Sequence, residues 1–308
     1  MSDIGARFPR GVRVDRRWAA GPVSQDGARD LAPATVVLLW AFGALTALAV
    51  LSLLGGASRT ADLFAWPIRP PLAAAAVGAG YGAGCVLVLL TLRDGRWAVA
   101  RRPLATIWVF TVFTLVASVA HLHRLHLHEP AVLPRVAAWF WLLVYVVVPP
   151  VMLWVMIAQE RRAAGDRAGV ILGRQRLPRL ASASLGVHCL VLAAAGVSLY
   201  LNLAPVMRAW PWSLTPFMAQ VTGAWLIAFS LAALLSMPAD PRSLLPAAAG
   251  YTAFGLLELL VLALHPDDVR PGPVLIAHLV LMSWVVLVGV WGMALAARRE
   301  PAGAAGST

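Results

Sequence analysis

A carboxylate in the middle of an apolar run is the most chemically pointed residue of this chain. Glu258 lies in the run 244–264, with Tyr251 seven residues before it and His265 seven after. On a helix the three share one stripe. An ionisable side chain within hydrocarbon costs about 2.5–3.5 kcal/mol on insertion scales, so Glu258 needs a partner or a proton. Histidines are the candidate partners: His278 in the last apolar run, and His121 and His265 at two run ends. In the run ending at His121, Thr111, Thr114, Ser118 and His121 recur at steps of three and four and form a second polar stripe. Taken alone, such hydroxyls are satisfied by their own helix carbonyls. Together, Glu258, His265, His121, His278, Thr114, Ser118 and Tyr251 are expected to line a polar cavity. His188, one turn after Ser184, reads as a hydrogen bond between helices.

Two other chemistries have weaker signals. His121, His123, His126 and His128, followed by Glu129, form a histidine-rich segment. Neutral imidazole binds zinc, copper, nickel and haem iron, so metal binding there, or haem held by His121 with His265, is one alternative. The spacing matches no closed zinc pattern and Arg124 sits in its midst. The second alternative is an intramembrane enzyme acting on a lipid-linked substrate, with Glu258 or the pair Asp267-Asp268 as base. Against it, the sequence has no Walker loop, no Gly-x-Ser-x-Gly turn and no His-x-x-x-His pair. The two cysteines, Cys85 and Cys189, both lie in apolar runs, and two thiols make neither a disulfide framework nor a structural zinc site.

The elements that must position these residues are membrane spans. Of the 308 residues 60% are hydrophobic and only 13% charged, about half the charge of an ordinary soluble domain. About 20 largely apolar residues cross roughly 30 Å of hydrocarbon. Eight such runs are found, at 34–54, 71–92, 104–121, 135–158, 181–203, 216–237, 244–264 and 273–297. Pro70-Pro71, Pro103, Pro134 and Pro216 open four of them, and Pro149-Pro150 is expected to kink the fourth. All 25 basic residues are arginine, a composition typical of high-G+C bacterial coding, and the net charge is +11. That charge points to topology rather than to nucleic acid. Nineteen arginines fall in the tails and alternate loops and six in the others, which puts both termini in the cytoplasm. The organisation expected is a basic cytoplasmic tail (1–33), a four-helix unit (34–160), an arginine-rich linker (161–180), a second four-helix unit (181–297) and a short tail (298–308).

The two units look like copies. Ala65-Trp66-Pro67 and Ala209-Trp210-Pro211 are 144 residues apart, and the same offset carries His121 onto His265 and Tyr81 onto Trp225. Four spans per copy is an even number, so the copies face the same way, as a parallel repeat about an axis along the membrane normal. The two tryptophans read as interfacial anchors ahead of a helix start. Ala74, Gly78 and Gly82 give the second span a face for close helix contact. The fold class is therefore an all-α integral membrane protein of eight transmembrane helices, with a parallel four-plus-four repeat, in the cell membrane and in contact with the lipid bilayer. The expected function is that of a non-enzymatic carrier, or of a scaffold or partner subunit, with a polar outward cavity between the repeats. On that reading no cofactor is required. Thr114 matches Glu258 at the common offset, so the acid belongs to one half alone.

Overall fold

The computed structural model describes residues 30–166 and 177–297; residues 1–29 and 298–308 and the middle half of the arginine-rich linker, 167–176, lie outside the described residues. Those described residues form helices and connecting turns, with no strand among them. Eight helices are long and apolar enough to cross a membrane. We number them α1 (Pro33–Val50, extended by a π turn over Leu51–Gly55), α2 (Pro71–Asp94), α3 (Trp97–Ala120), α4 (Val132–Asp166), α5 (Arg179–Tyr200), α6 (Pro216–Ser236), α7 (Leu245–Leu264) and α8 (Pro273–Ala297). The protein is a multi-pass membrane protein.

Helix starts follow local chemistry. Proline stands in the first turn of α1, α2, α6 and α7, where its missing N–H costs nothing. Thr215 adds a side-chain cap to α6 by accepting from the Met218 amide at 3.3 Å. Gly95, with φ +74°, closes α2 and lets α3 begin two residues later. That tight turn moves one expected boundary. Pro103 does not open the third span; it lies within α3, which runs back to Trp97. The Asp30 carboxylate accepts from the Trp97 amide and the Trp97 indole donates to Glu160. An acid at the helix start offsets what the internal proline removes. The fourth span runs unbroken through Pro149-Pro150, where Trp108 of α3 donates to the Pro149 carbonyl at 3.1 Å.

Burial sorts the bundle into two layers. In α2 and α6, 67% and 56% of the most apolar window is buried, against 22% in α1, α5 and α8. The inner helices are α2, α3, α6 and α7, and the outer ones α1, α4, α5 and α8. Hairpin neighbours pack as α1 on α2, α3 on α4, α5 on α6 and α7 on α8, while α2 lies on α7 and α3 on α6 across the centre. The outer pairs α1–α4 and α5–α8 touch only slightly. Small residues set the closest approaches, as expected in lipid: a Cβ on Gly196 of α5 would stand 2.9 Å from the Ile227 amide nitrogen of α6. Gly78 of α2 likewise makes room for the π turn of α1, its added Cβ falling 2.8 Å from the Leu54 nitrogen.

At the end of the bundle carrying the Ala-Trp-Pro segments, matching loops are tied in matching ways. The His126 amide donates to the Ala65 carbonyl at 2.8 Å, and the Arg270 amide to the Pro211 carbonyl at 2.7 Å. Helices α3 and α7 each end in a short 3-10 turn, Leu122–Arg124 and Pro266–Asp268. At the opposite end, buried Gln159 of α4 clamps the start of α1. Its side-chain oxygen accepts from the Ala32 amide and Thr35 hydroxyl at 2.7 and 2.8 Å.

Candidate functional site

Glu258 faces inward from the middle of α7 and is 4% exposed; His278, from the first turns of α8, is 8% exposed. Their side chains meet with Nε2 of His278 3.9 Å from Oε2 of Glu258. That separation is too long for a hydrogen bond, yet both groups are buried. They line a cavity of about 270 Å³ enclosed by α2, α5, α6, α7, α8 and the segment Trp210-Pro211-Trp212. The size is just under that of ordinary small-molecule sites, about 300–1,000 Å³.

Apart from Thr222 of α6, the remaining wall is aromatic and aliphatic. Trp210 and Trp212 stand edge-to-face with each other at 5.4 Å, and both bracket His278, at 5.7 and 5.4 Å. Trp225 of α6 stacks on Phe110 at 3.9 Å, with Tyr81 edge-on at 5.2 Å. Gly80 of α2 makes this possible: a Cβ there would fall 2.9 Å from the Trp225 ring, so a larger residue would push the indole out of the wall. Ten buried side-chain polar atoms among the described residues lack a hydrogen-bond partner, and five belong to this cavity wall. They are Nε1 of Trp210, Trp212 and Trp225, Oε2 of Glu258 and Nε2 of His278. A buried polar group left unpaired costs about 1–3 kcal/mol. Five in one place mark a region shaped for something other than stability.

The seven residues expected to share one cavity are divided. Glu258 and His278 meet. Tyr251 does not join them; its hydroxyl donates to the Phe229 carbonyl of α6. His265 caps the end of α7, half-exposed, and is not in the cavity wall. Seven residues of helix advance about 10 Å, so a stripe spaced by sevens spans more depth than one cavity does. Ser118 accepts from the Trp141 indole at 2.9 Å, within the first half. Thr114 is wholly buried beside Tyr145. His121 stacks on Phe217 at 5.1 Å, and its Nδ1 lies 3.1 Å from the Ala117 carbonyl of its own helix.

The other histidines sit at the bundle end. His123 and His128 are exposed, and His126 turns Nδ1 to the Phe64 carbonyl at 3.1 Å. Among the described residues, no three His, Cys, Asp or Glu side chains come together as metal ligands do. His188 differs from the expected link between helices. Its Nδ1 lies 3.3 Å from the Ser184 carbonyl one turn back, and its ring packs on Trp284 at 4.0 Å. Asp268 accepts from the Leu72 amide at 3.0 Å, so one member of the Asp267-Asp268 pair caps α2.

The tryptophans are the residues that sequence reasoning undervalued. The first Ala-Trp-Pro segment turns its indole into the bundle, and the second, with Trp210 half-buried, packs it against other rings. Trp66 is 2% exposed, in a cluster with Phe64, Trp141 and Phe217, and Trp210 is cavity wall. The available signal was Trp212, a second indole just beyond Pro211, since a paired indole favours ring packing over a lone anchor. No protein-family model matches the chain, and neither a curated protein nor a solved structure is significantly similar to it.

Proposed function

We propose that this is a carrier-like protein of the cytoplasmic membrane, built of two parallel four-helix repeats, whose working part is the ligand cavity around Glu258 and His278. The observation that carries this reading is the convergence of five unpaired buried polar atoms on one cavity. Such groups gain by pairing with a bound molecule what they lose in the protein alone. The atoms are buried just behind the cavity surface and would meet a bound molecule after small turns of their side chains, which suits recognition and release.

The repeat is supported by correspondences at the constant separation of 144. Exchanging α1–α4 with α5–α8 maps the six closely packed helix pairs onto one another. The amides of His121, Arg124 and Leu125 bond to the carbonyls of Ala117, His121 and Leu122; those of His265, Asp268 and Val269 bond to Val261, His265 and Pro266. Every one of these positions moves by the same 144. Tyr81 and Trp225, equivalent at that offset, touch each other, as residues beside a twofold axis must. The arginine distribution supports cytoplasmic termini and an outward-facing Ala-Trp-Pro end.

The test is recovery of what the cavity holds. Wild-type protein and Glu258→Gln/His278→Ala protein are purified from the same membranes, denatured, and the released small molecules compared by mass spectrometry. A compound enriched at least tenfold with the wild type is expected. Equal recovery of every compound rejects the ligand-binding role.

A further inference from the structure

The cavity does more than hold polar groups: its wall reaches the lipid-facing surface. Val191 of α5 and Val274 of α8 both line it, and they are 38% and 40% exposed. They belong to α5 and α8, which touch only slightly. Inner helices α2, α6 and α7 close the other sides, and Trp210-Pro211-Trp212 closes the end. A solute using this opening comes from hydrocarbon, so its body must be apolar and its net charge zero or nearly so.

The polar groups narrow the class. An indole N–H donates and cannot accept, so Trp210, Trp212 and Trp225 call for an acceptor. No arginine or lysine lines the cavity, so an anion would find only the His278 ring as a partner and would face the Glu258 carboxyl. A cation could pair with the Glu258 carboxyl but would meet no open aromatic face, and its charge would oppose entry from hydrocarbon. Trp225 is already stacked on Phe110, and Trp210, Trp212 and His278 pack against one another edge to face. The unpaired atoms are the ring N–H groups. Glu258 and His278, 3.9 Å apart, are too far for a direct hydrogen bond, so each can still take a partner of its own.

We infer that the cavity takes an uncharged, carbonyl-bearing lipophile that enters sideways from the membrane between α5 and α8, its oxygens received by the indole N–H groups of Trp210 and Trp212. This names the ligand class of the site proposed above and rests on that reading. The aliphatic wall, including Val77, Ala195 and Leu281, holds the apolar body. Glu258 and His278 give a second polar contact deeper in the cavity.

The probes are duroquinone, a fully substituted quinone that cannot alkylate Cys85 or Cys189, and durene, its tetramethylbenzene counterpart without the oxygens. Decanoate and decylamine stand for charged lipophiles. Each is titrated calorimetrically into the full chain in phosphatidylglycerol–phosphatidylcholine nanodiscs. Duroquinone is expected to bind at least tenfold tighter than durene, the size of one or two net hydrogen bonds. Trp210→Phe/Trp212→Phe should lower duroquinone affinity at least tenfold and leave durene unchanged. If that double variant does not fold, Trp212→His keeps a donor and should retain most of the preference, whereas Trp212→Phe should not. Equal binding of duroquinone and durene overturns the inference, as does failure of duroquinone to bind saturably. Tighter binding of decanoate or decylamine, lost in Glu258→Gln, also overturns the carbonyl class while leaving the ligand site standing. If a compound co-purifies with the wild type but duroquinone does not bind, only the class assigned here falls.

Discussion

The first half of the bundle has a cavity too, and comparing it with the second isolates what is special about Glu258. A space of about 330 Å³ opens among α1, α2, α3, α4 and α6. Several of its lining positions pair with the second cavity at the separation of 144: Tyr81 with Trp225, Phe110 with Phe254, Leu133 with Ala277 and Ala137 with Leu281. Its mouth lies between α1 and α4, where Leu48 and Val136 are 50% and 56% exposed. The polar groups are treated in opposite ways. In the first cavity the Tyr81 and Tyr145 hydroxyls bond to each other, the Trp141 indole donates to Ser118, and Thr46, Thr106 and Thr111 bond to helix carbonyls. Among its described lining residues only Trp225, which both cavities share, has an unpaired buried atom. One half has spent its polarity on packing; the other has left it open.

The largest effect is expected where the halves differ in closeness of packing. Gly196→Leu forces α5 from the α6 backbone and should cost about 3 kcal/mol or more. Ser52→Leu, at the equivalent position of α1, places its side chain in half-exposed space and should cost less than about 1 kcal/mol. Unfolding in detergent compares the two, and equal costs would break the packing contrast. Next comes the polar pair itself. Glu258→Leu/His278→Leu should raise stability by about 1–4 kcal/mol while abolishing ligand recovery. A fall in stability would show that the pair serves packing, as its counterpart does.

The hydroxyl pair gives the converse. Tyr145→Phe leaves Tyr81 without its partner and should cost about 1–3 kcal/mol. The double variant Tyr81→Phe/Tyr145→Phe should recover most of that, and a cycle of the two mutations reads the coupling directly. The smallest effect belongs to the histidine-rich segment. His123→Ala/His128→Ala, at exposed positions, should shift stability by less than about 0.5 kcal/mol, with or without added zinc. A zinc-dependent rise lost in the variant would return that segment to the list of sites.

Spans were the most legible feature of the sequence, because hydrocarbon demands a long apolar run and prolines sit where N–H groups are expendable. The departure at α3 has a physical cause. The third apolar run begins only at 104, yet α3 carries Arg101 and Arg102 as helix because Asp30 and Glu160, both remote in sequence, hold its start at Trp97. Glu258 was visible as a lone acid. Its neighbour was not, since spacing along one helix says nothing about which residue of α8 stands opposite; that depends on how α7 and α8 cross. Periodicity placed Tyr251, Glu258 and His265 on one stripe, but depth in the membrane separated them. The tryptophans were obscured by a sound general rule, that indoles favour the membrane interface. Here edge-to-face contacts with other rings and with His278 outweigh that preference.

Trp225 stands in the wall of both cavities. Any molecule that turns its indole on one side therefore alters the space offered on the other. By thermodynamic linkage the influence runs equally in both directions. A lipid chain lodged between α1 and α4 would change affinity at Glu258 by the same factor by which a guest near Glu258 changes the chain's hold. On the proposed ligand-binding reading, the composition of the surrounding bilayer would then act on the polar site through a single ring.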